Sequence, residues 1–146
     1  MPSFSRKVTV DWIGSVKEGK GTAKAGSGAF NLPVSLGRRI GEAEGSTSPE
    51  ELIAGAHSSC YAMALNATVG RKNGAIGTTH VTCTVTAELT EAGIKIQSSR
   101  LDVVAENLTG IDAKDFAAVA KEAEGKCPVS NALRNNLTIE VNATVK

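Results

Sequence analysis

Cys60, Cys83 and Cys127 are the residues best equipped for covalent chemistry in this chain. A thiol can attack a peroxide or an acyl group, hold a metal, or pair with a second thiol, but the reactive form is the thiolate. With an ordinary pKa near ~8.5, only a few per cent of a plain cysteine is ionised at neutral pH. Each cysteine must therefore be asked what would charge it. Cys83 ranks last: in HVTCTVTAEL it falls on the apolar side of an alternating strand, where a small thiol behaves as a hydrophobe. Cys127 precedes Pro128 at the expected N-cap of a short helix, where free amides and the positive helix end favour a thiolate. Lys126 pushes the same way. Cys60 lies three turns inside a long helix and receives no such help, so its activation needs a cation brought to it. Arg38 and Arg39 are the nearest in sequence. A guanidinium stays charged when partly buried and can fork onto a carboxylate and a reacting oxygen together. The same pair also reads as two surface arginines in a charged loop.

Two other chemistries draw on these residues. His57 sits one helical turn before Cys60, so a Cys–His hydrolase or acyl transferase is one alternative. No oxyanion motif or third orienting group accompanies it, and Cys127 would stand idle. A zinc site from His57, Cys60, Cys83 and Cys127 lacks any C-x-x-C spacing. A non-catalytic redox-sensing or ligand-binding module is a further alternative.

The elements that must position these groups follow from periodicity and capping. Ser5 to Trp12, Gly19 to Ala25 and Gly28 to Val34 read as short strands, followed by a Gly-, Glu- and Ser-rich loop from Gly37 to Ser48 that holds Arg38 and Arg39. Ser48-Pro49-Glu50-Glu51 is a helix start with a Ser cap, Pro at the first position and carboxylates in the first turn. Read this way, Glu50 and Glu51 are simply acids stabilised by the helix dipole. Leu52, Ala56, Cys60, Met63 and Ala67 then recur at helical spacing, giving a long helix ending near Gly70 with Cys60 on its apolar face. From Ile76 the period becomes two, and a turn at Glu91-Ala92-Gly93 leads to a second long strand, Ile94 to Glu106. Asp112 is expected to cap a second helix ended by Gly125. A short helix opens at Cys127-Pro128, and Asn136 to Val145 is a last strand. This order predicts an α+β fold with antiparallel sheets.

At 146 residues and 41% hydrophobic the chain suits one domain, 1–146, while aromatics at 3% leave a core of Val, Ile, Leu and Ala that favours oligomerisation. The net charge of +1 and the lack of a basic stripe speak against nucleic acid. No run approaches the ~20 apolar residues that span a bilayer, and MPSFSRKVTVDW lacks a signal-peptide core. An odd cysteine count argues against a secreted disulfide framework. A cytoplasmic location is the expectation.

The run SPEELIAGAHSSCYAMAL, Ser48 to Leu65, resembles the signature of the osmotically inducible protein C (OsmC) family of hydroperoxide reductases. So does GKCPVS, Gly125 to Ser130, at the expected distance downstream, and WIGSVKEGKGT, Trp12 to Thr22, looks like the OsmC branch rather than the organic hydroperoxide resistance (Ohr) branch. The resemblance covers nearly the whole chain. It implies an intertwined homodimer with a long central helix carrying Cys60, which reduces peroxides through two cysteines. Carried over by position, Cys60 is the peroxide-attacking thiol and Cys127 the resolving thiol, closing a Cys60–Cys127 disulfide. Glu50 is the carboxylate that steadies an activating arginine, which matches Arg39 best with Arg38 adjacent. His57 is left in a supporting role.

On that resemblance, a hydroperoxide is reduced to an alcohol, an external dithiol, lipoyl-type in this family, reduces the disulfide, and no metal, flavin or haem is needed. An apolar helix face favours organic hydroperoxides, since each buried methylene contributes up to ~0.8 kcal/mol. Glu50 and Cys60 are ten positions apart, about 15 Å of helix rise, beyond the reach of a Glu side chain. Two such helices packed antiparallel, crossing at Gly55 between Ala54 and Ala56, would bring Glu50 of one chain beside Cys60 of the other.

Overall fold

A computed structural model describes residues 1–146. The elements run β1 (Val8–Ile13), β2 (Lys20–Ala25), β3 (Asn31–Val34), α1 (Leu36–Ile40), α2 (Pro49–Arg71), β4 (Ala75–Thr90), β5 (Gly93–Thr109), α3 (Ala113–Lys126), α4 (Pro128–Leu133) and β6 (Thr138–Val145). They divide into two compact units, Met1–Leu52 and Ile53–Lys146.

The first unit is an antiparallel sheet in the order β1-β2-β3. In β2 the inward side carries only Gly21, Ala23 and Ala25, while Lys20, Thr22 and Lys24 face out. The small side chains make room for a neighbour. A Cβ on Gly21 would lie 2.7 Å from the Trp12 ring, so only glycine fits beneath the indole. Every residue of β1 is exposed, including Val8, Val10 and Trp12, which leaves an uncovered apolar stripe. The loop expected over 37–48 contains a helical turn, α1. Ser35 caps it by accepting from the Arg38 N–H, and five residues are too few for periodicity to reveal. The start of α2 follows the expected chemistry, with Ser48 Oγ accepting from the Glu51 N–H at 3.1 Å.

The second unit is built on the long β4–β5 hairpin, with the rest of α2, α3 and α4. Along β4, Val81, Cys83, Val85 and Ala87 are half-buried and the intervening threonines exposed, as the alternation predicts, but Leu89, expected on the same face, is exposed near the hairpin turn. Its sheet has the order β4-β5-β6, and β6 runs parallel to β5. The expectation of purely antiparallel sheets is corrected here. The chain leaves β5 and crosses back through α3 and α4, so it re-enters the sheet in the same direction. Alternation of side chains encodes facing and is blind to strand direction.

The core of this unit gathers Tyr61, Leu65 and Val69 of α2, Leu101, Val103 and Ala105 of β5, Phe116, Val119, Ala120 and Ala123 of α3, and Cys127. The buried stripe of α2 is therefore His57, Tyr61, Leu65, Thr68 and Val69. This is one position round from the face expected by hydrophobicity, on which Ala56, Met63 and Ala67 are exposed, Met63 by 68%. The reason is that three polar residues bury with their partners. Tyr61 donates to the Ala120 carbonyl at 2.7 Å, Thr68 to the Ala64 carbonyl at 2.8 Å, and His57 meets two serine hydroxyls. Cys60 lies on the shoulder between the two faces, half-buried against the core. Asp112 stands at the N-cap of α3 as expected, though without a side-chain bond, while the far end shifts, α3 passing through Gly125 to Lys126. No helix is long and apolar enough to cross a membrane.

Candidate active site

Cys127 closes α3 and caps α4, with Pro128 in the first turn of α4. Its Sγ accepts from the Ser130 N–H at 3.5 Å, as expected of a cysteine in the N-cap position. The side chain is wholly buried, and Lys126 beside it is exposed. Cys60 reaches the same point from α2. Cys60 packs against the core cluster that contains Cys127, and the Cys127 thiol and the Val129 amide both act on its ionisation. All three cysteines are free thiols.

The Cys60 thiol is pushed above its ordinary pKa, first by burial. The Val129 amide opposes this by favouring a thiolate, and the neighbouring Cys127 thiol adds to the upward push. No cation of its own unit contributes. The activated Cys60 thiolate expected from the sequence therefore has no source of positive charge within unit 2.

The charged pair lies in the first unit. Arg39 forks onto Glu50, with Nη2 at 2.6 Å from Oε1 and Nε at 3.1 Å from both carboxylate oxygens. The guanidinium holds the Glu50 carboxyl below the usual carboxylate range, and the Arg39 pKa is raised in return by its bond to Glu50. The Arg39 Nη1 keeps its protons free for a further acceptor. Arg38 points elsewhere: exposed, it bridges the Glu44 carboxylate at 2.7 Å and the Glu42 carbonyl at 3.2 Å. Arg39 also walls an apolar cavity of about 450 Å³ within this unit, beside Val10, Trp12, Val16, Leu36 and Leu52. The structure thus joins Arg39 with Glu50 and Cys60 with Cys127, one pair in each unit.

His57 serves neither pair as a base. It is wholly buried between Ser99 Oγ, 2.6 Å from Nδ1, and Ser130 Oγ, 2.7 Å from Nε2. Burial pushes its pKa below the ordinary value, against a smaller upward pull from Glu124. With both ring nitrogens engaged by hydroxyls, the imidazole is not poised to deprotonate Cys60, which weighs against a Cys–His hydrolase. Cys83 is half-buried as expected, but in polar company: its Sγ is 3.1 Å from Ser99 Oγ and 3.8 Å from His57 Nδ1. Burial raises its pKa, opposed by the Ser99 bond. No three His, Cys, Asp or Glu side chains gather as a ligand set for a metal.

Ser99 and Ser130 escaped the search for reactive residue types. Ser99 had a detectable signal, since it shares the buried side of β5 with Leu101, Val103 and Ala105, where a lone hydroxyl implies a buried partner.

Comparison with known proteins agrees with this architecture. The family model for OsmC-like protein matches residues 41–142. The peroxiredoxin OsmC of Escherichia coli is 34% identical over 94% of this chain and 96% of its own length. An organic hydroperoxide resistance protein-like 2 of Staphylococcus epidermidis is 28% identical over 73% of each chain. Among solved structures, an organic hydroperoxide resistance protein OsmC from Legionella pneumophila superposes with a TM-score of 0.75 at 24% identity, covering 95% of this chain and 97% of the other. The chain is a member of the OsmC-like protein family.

Proposed function

We propose that this protein is a thiol peroxidase that reduces organic hydroperoxides, and hydrogen peroxide more weakly, with Cys60 as the attacking thiol and Cys127 as the resolving one. The observation that carries this reading is the packing of two free thiols, Cys60 of α2 and Cys127 of the α3–α4 junction, in one core cluster, with the Ser130 amide donating to the Cys127 sulfur. The names of the relatives, peroxiredoxin and organic hydroperoxide resistance protein, point the same way.

The steps balance without a metal, flavin or haem. The Cys60 thiolate attacks the terminal oxygen of a hydroperoxide, the O–O bond breaks, and the alkoxide leaves and takes up a proton to become the alcohol. Cys60 is left as a sulfenic acid. The Cys127 sulfur attacks it, the S–O bond breaks, and the oxygen departs as water with the thiol proton. A dithiol, lipoyl-type in our reading, then reduces the disulfide and is itself oxidised.

The charge that Cys60 lacks in its own unit comes, in this reading, from Arg39, held by Glu50, of a second copy in a homodimer. The uncovered faces of α2 (Ala56, Met63, Ala67) and β1 are consistent with a partner chain. The free Nη1 of Arg39 is suited to the peroxide oxygen as charge develops on it, and the apolar cavity beside Arg39 suits an organic tail. The test is peroxide consumption with a dithiol present, followed by peptide mapping without reductant after one equivalent of peroxide. The expected product is a Cys60–Cys127 disulfide with Cys83 still reduced. A bridge that includes Cys83, or no peroxide consumption, overturns the assignment.

A further inference from the structure

The peroxidase steps above make no use of the buried polar chain through His57, yet that chain ends at the reacting sulfurs. His57 on α2 bonds Ser99 of β5 through Nδ1 and Ser130 of α4 through Nε2, so one imidazole ties three elements together. Ser130 then works at both ends. Its hydroxyl meets His57, and its own N–H donates to Cys127 Sγ. The preceding amide, Val129 N–H, favours the thiolate of Cys60. Two consecutive amides of one turn thus serve the two sulfurs.

That turn cannot hold itself in place. α4 is six residues long, and it is joined to its flanks by Asn131 N–H to Cys127 O at 3.0 Å and Arg134 N–H to Ser130 O at 2.9 Å. A helix this short is not stable alone in water, so outside contacts must fix its position. Its side-chain tie through Asn131 is exposed to solvent and that of Arg134 to Glu124 is only partly sheltered, whereas the Ser130–His57 bond is fully buried and uncontested by water.

We propose that His57 is a positioning residue for disulfide formation, fixing the first turn of α4 through Ser130 so that the Ser130 amide holds the Cys127 sulfur beside Cys60. The inference rests on the peroxidase reading. A neutral imidazole suits the task, because it donates to one hydroxyl and accepts from the other, and burial keeps His57 neutral. Cys83, bonded to Ser99, fixes the far end of the chain.

The experiment is a rapid-mixing single turnover with one equivalent of tert-butyl hydroperoxide. Sulfenic acid is trapped with dimedone and the disulfide is followed by mass spectrometry. Ser130→Ala removes one oxygen and is expected to slow disulfide formation about tenfold, the effect of losing one buried hydrogen bond, while sulfenic acid still forms. Dimedone adduct and sulfinic acid then accumulate. Ser130→Thr keeps the hydroxyl and is expected to resolve at nearly the wild-type rate. His57→Gln combined with Ser130→Ala is expected to be no slower than the slower single change, since both act through one bond. A merely structural bond would lower the melting temperature of Ser130→Ala without altering the split between sulfenic acid and disulfide at 25 °C. Wild-type resolution by Ser130→Ala, or full additivity of the two changes, overturns the proposal. Absence of sulfenic acid in the wild type would instead overturn the peroxidase reading.

Discussion

The two units treat their reactive groups in opposite ways. In Met1–Leu52, Arg39 and Glu50 are fully charged, joined by a bidentate pair, and beside an open apolar cavity. In Ile53–Lys146, Cys60, Cys127, His57 and Cys83 are sheltered and tied by neutral hydrogen bonds to hydroxyls and amides. One region stores charge, and the other withholds it. A thiol kept protonated by burial is slow to react, and a guanidinium already paired has no need to wander. In the proposed mechanism Arg39 supplies the positive charge that the Cys60 thiol lacks.

The largest effect is expected from breaking the charged side of this contrast. Arg39→Ala removes the donor available to the peroxide oxygen and is expected to slow attack about a hundredfold. Arg38→Ala, which severs only an exposed pair with Glu44, is expected to change it less than about twofold. Thiol alkylation followed against pH gives the cause. Without Arg39 the Cys60 profile moves to higher pH, the direction that burial alone imposes. If Arg38→Ala carries the larger loss, the roles of the two arginines are exchanged.

A second, intermediate effect sharpens the contrast by asking whether the two pairs meet across chains. Cys60→Ser keeps the charged pair and loses the nucleophile, and Glu50→Ala does the reverse. Mixing the two inactive proteins is expected to restore roughly one working centre in each mixed dimer. Mixed dimers that form, verified by native mass spectrometry, yet show no gain over either parent exclude a shared site.

How far the sequence revealed each region follows the same division. The Ser48-Pro49 cap announces itself because capping is a local property of residue type, whereas Arg39 and Glu50 stood out from Arg38 and Glu51 only through the family resemblance. Cys127 was equally legible, since Pro128 after it marks a helix start. The buried stripe of α2 was not, because His57 and Tyr61 bury by finding partners 73 and 59 positions away, which no local window contains. The parallel course of β6 escaped for a related reason, as strand direction is decided by the crossover and not by the strand.

The smallest expected effect is in acid stability, where each region has its own pH window. Glu50 has a folded pKa below its unfolded value because Arg39 favours the carboxylate. Its contribution is complete above the ordinary range near 4.5 and is lost only as pH falls through the lower, folded value. His57 is displaced from 6.5 in the same direction for the opposite reason, since burial disfavours its charged form. Above 6.5 both folded and unfolded chains hold it neutral, and its environment costs nothing extra. As pH falls below that point the unfolded chain takes up a proton that the folded chain refuses, so stability declines until the lower folded pKa is reached. Each pH unit within that window is worth at most about 1.4 kcal/mol, a few degrees of melting temperature for a domain of this size. Melting curves between pH 7 and 5 are therefore expected to shift downward in the wild type and to flatten in His57→Gln, which has no titrating group at that position. Glu50→Gln is expected to retain the slope between pH 7 and 5 and to lose only the part near and below pH 4.5. If His57→Gln keeps the full wild-type slope above pH 5, the buried imidazole is not the group that senses acid in the second unit.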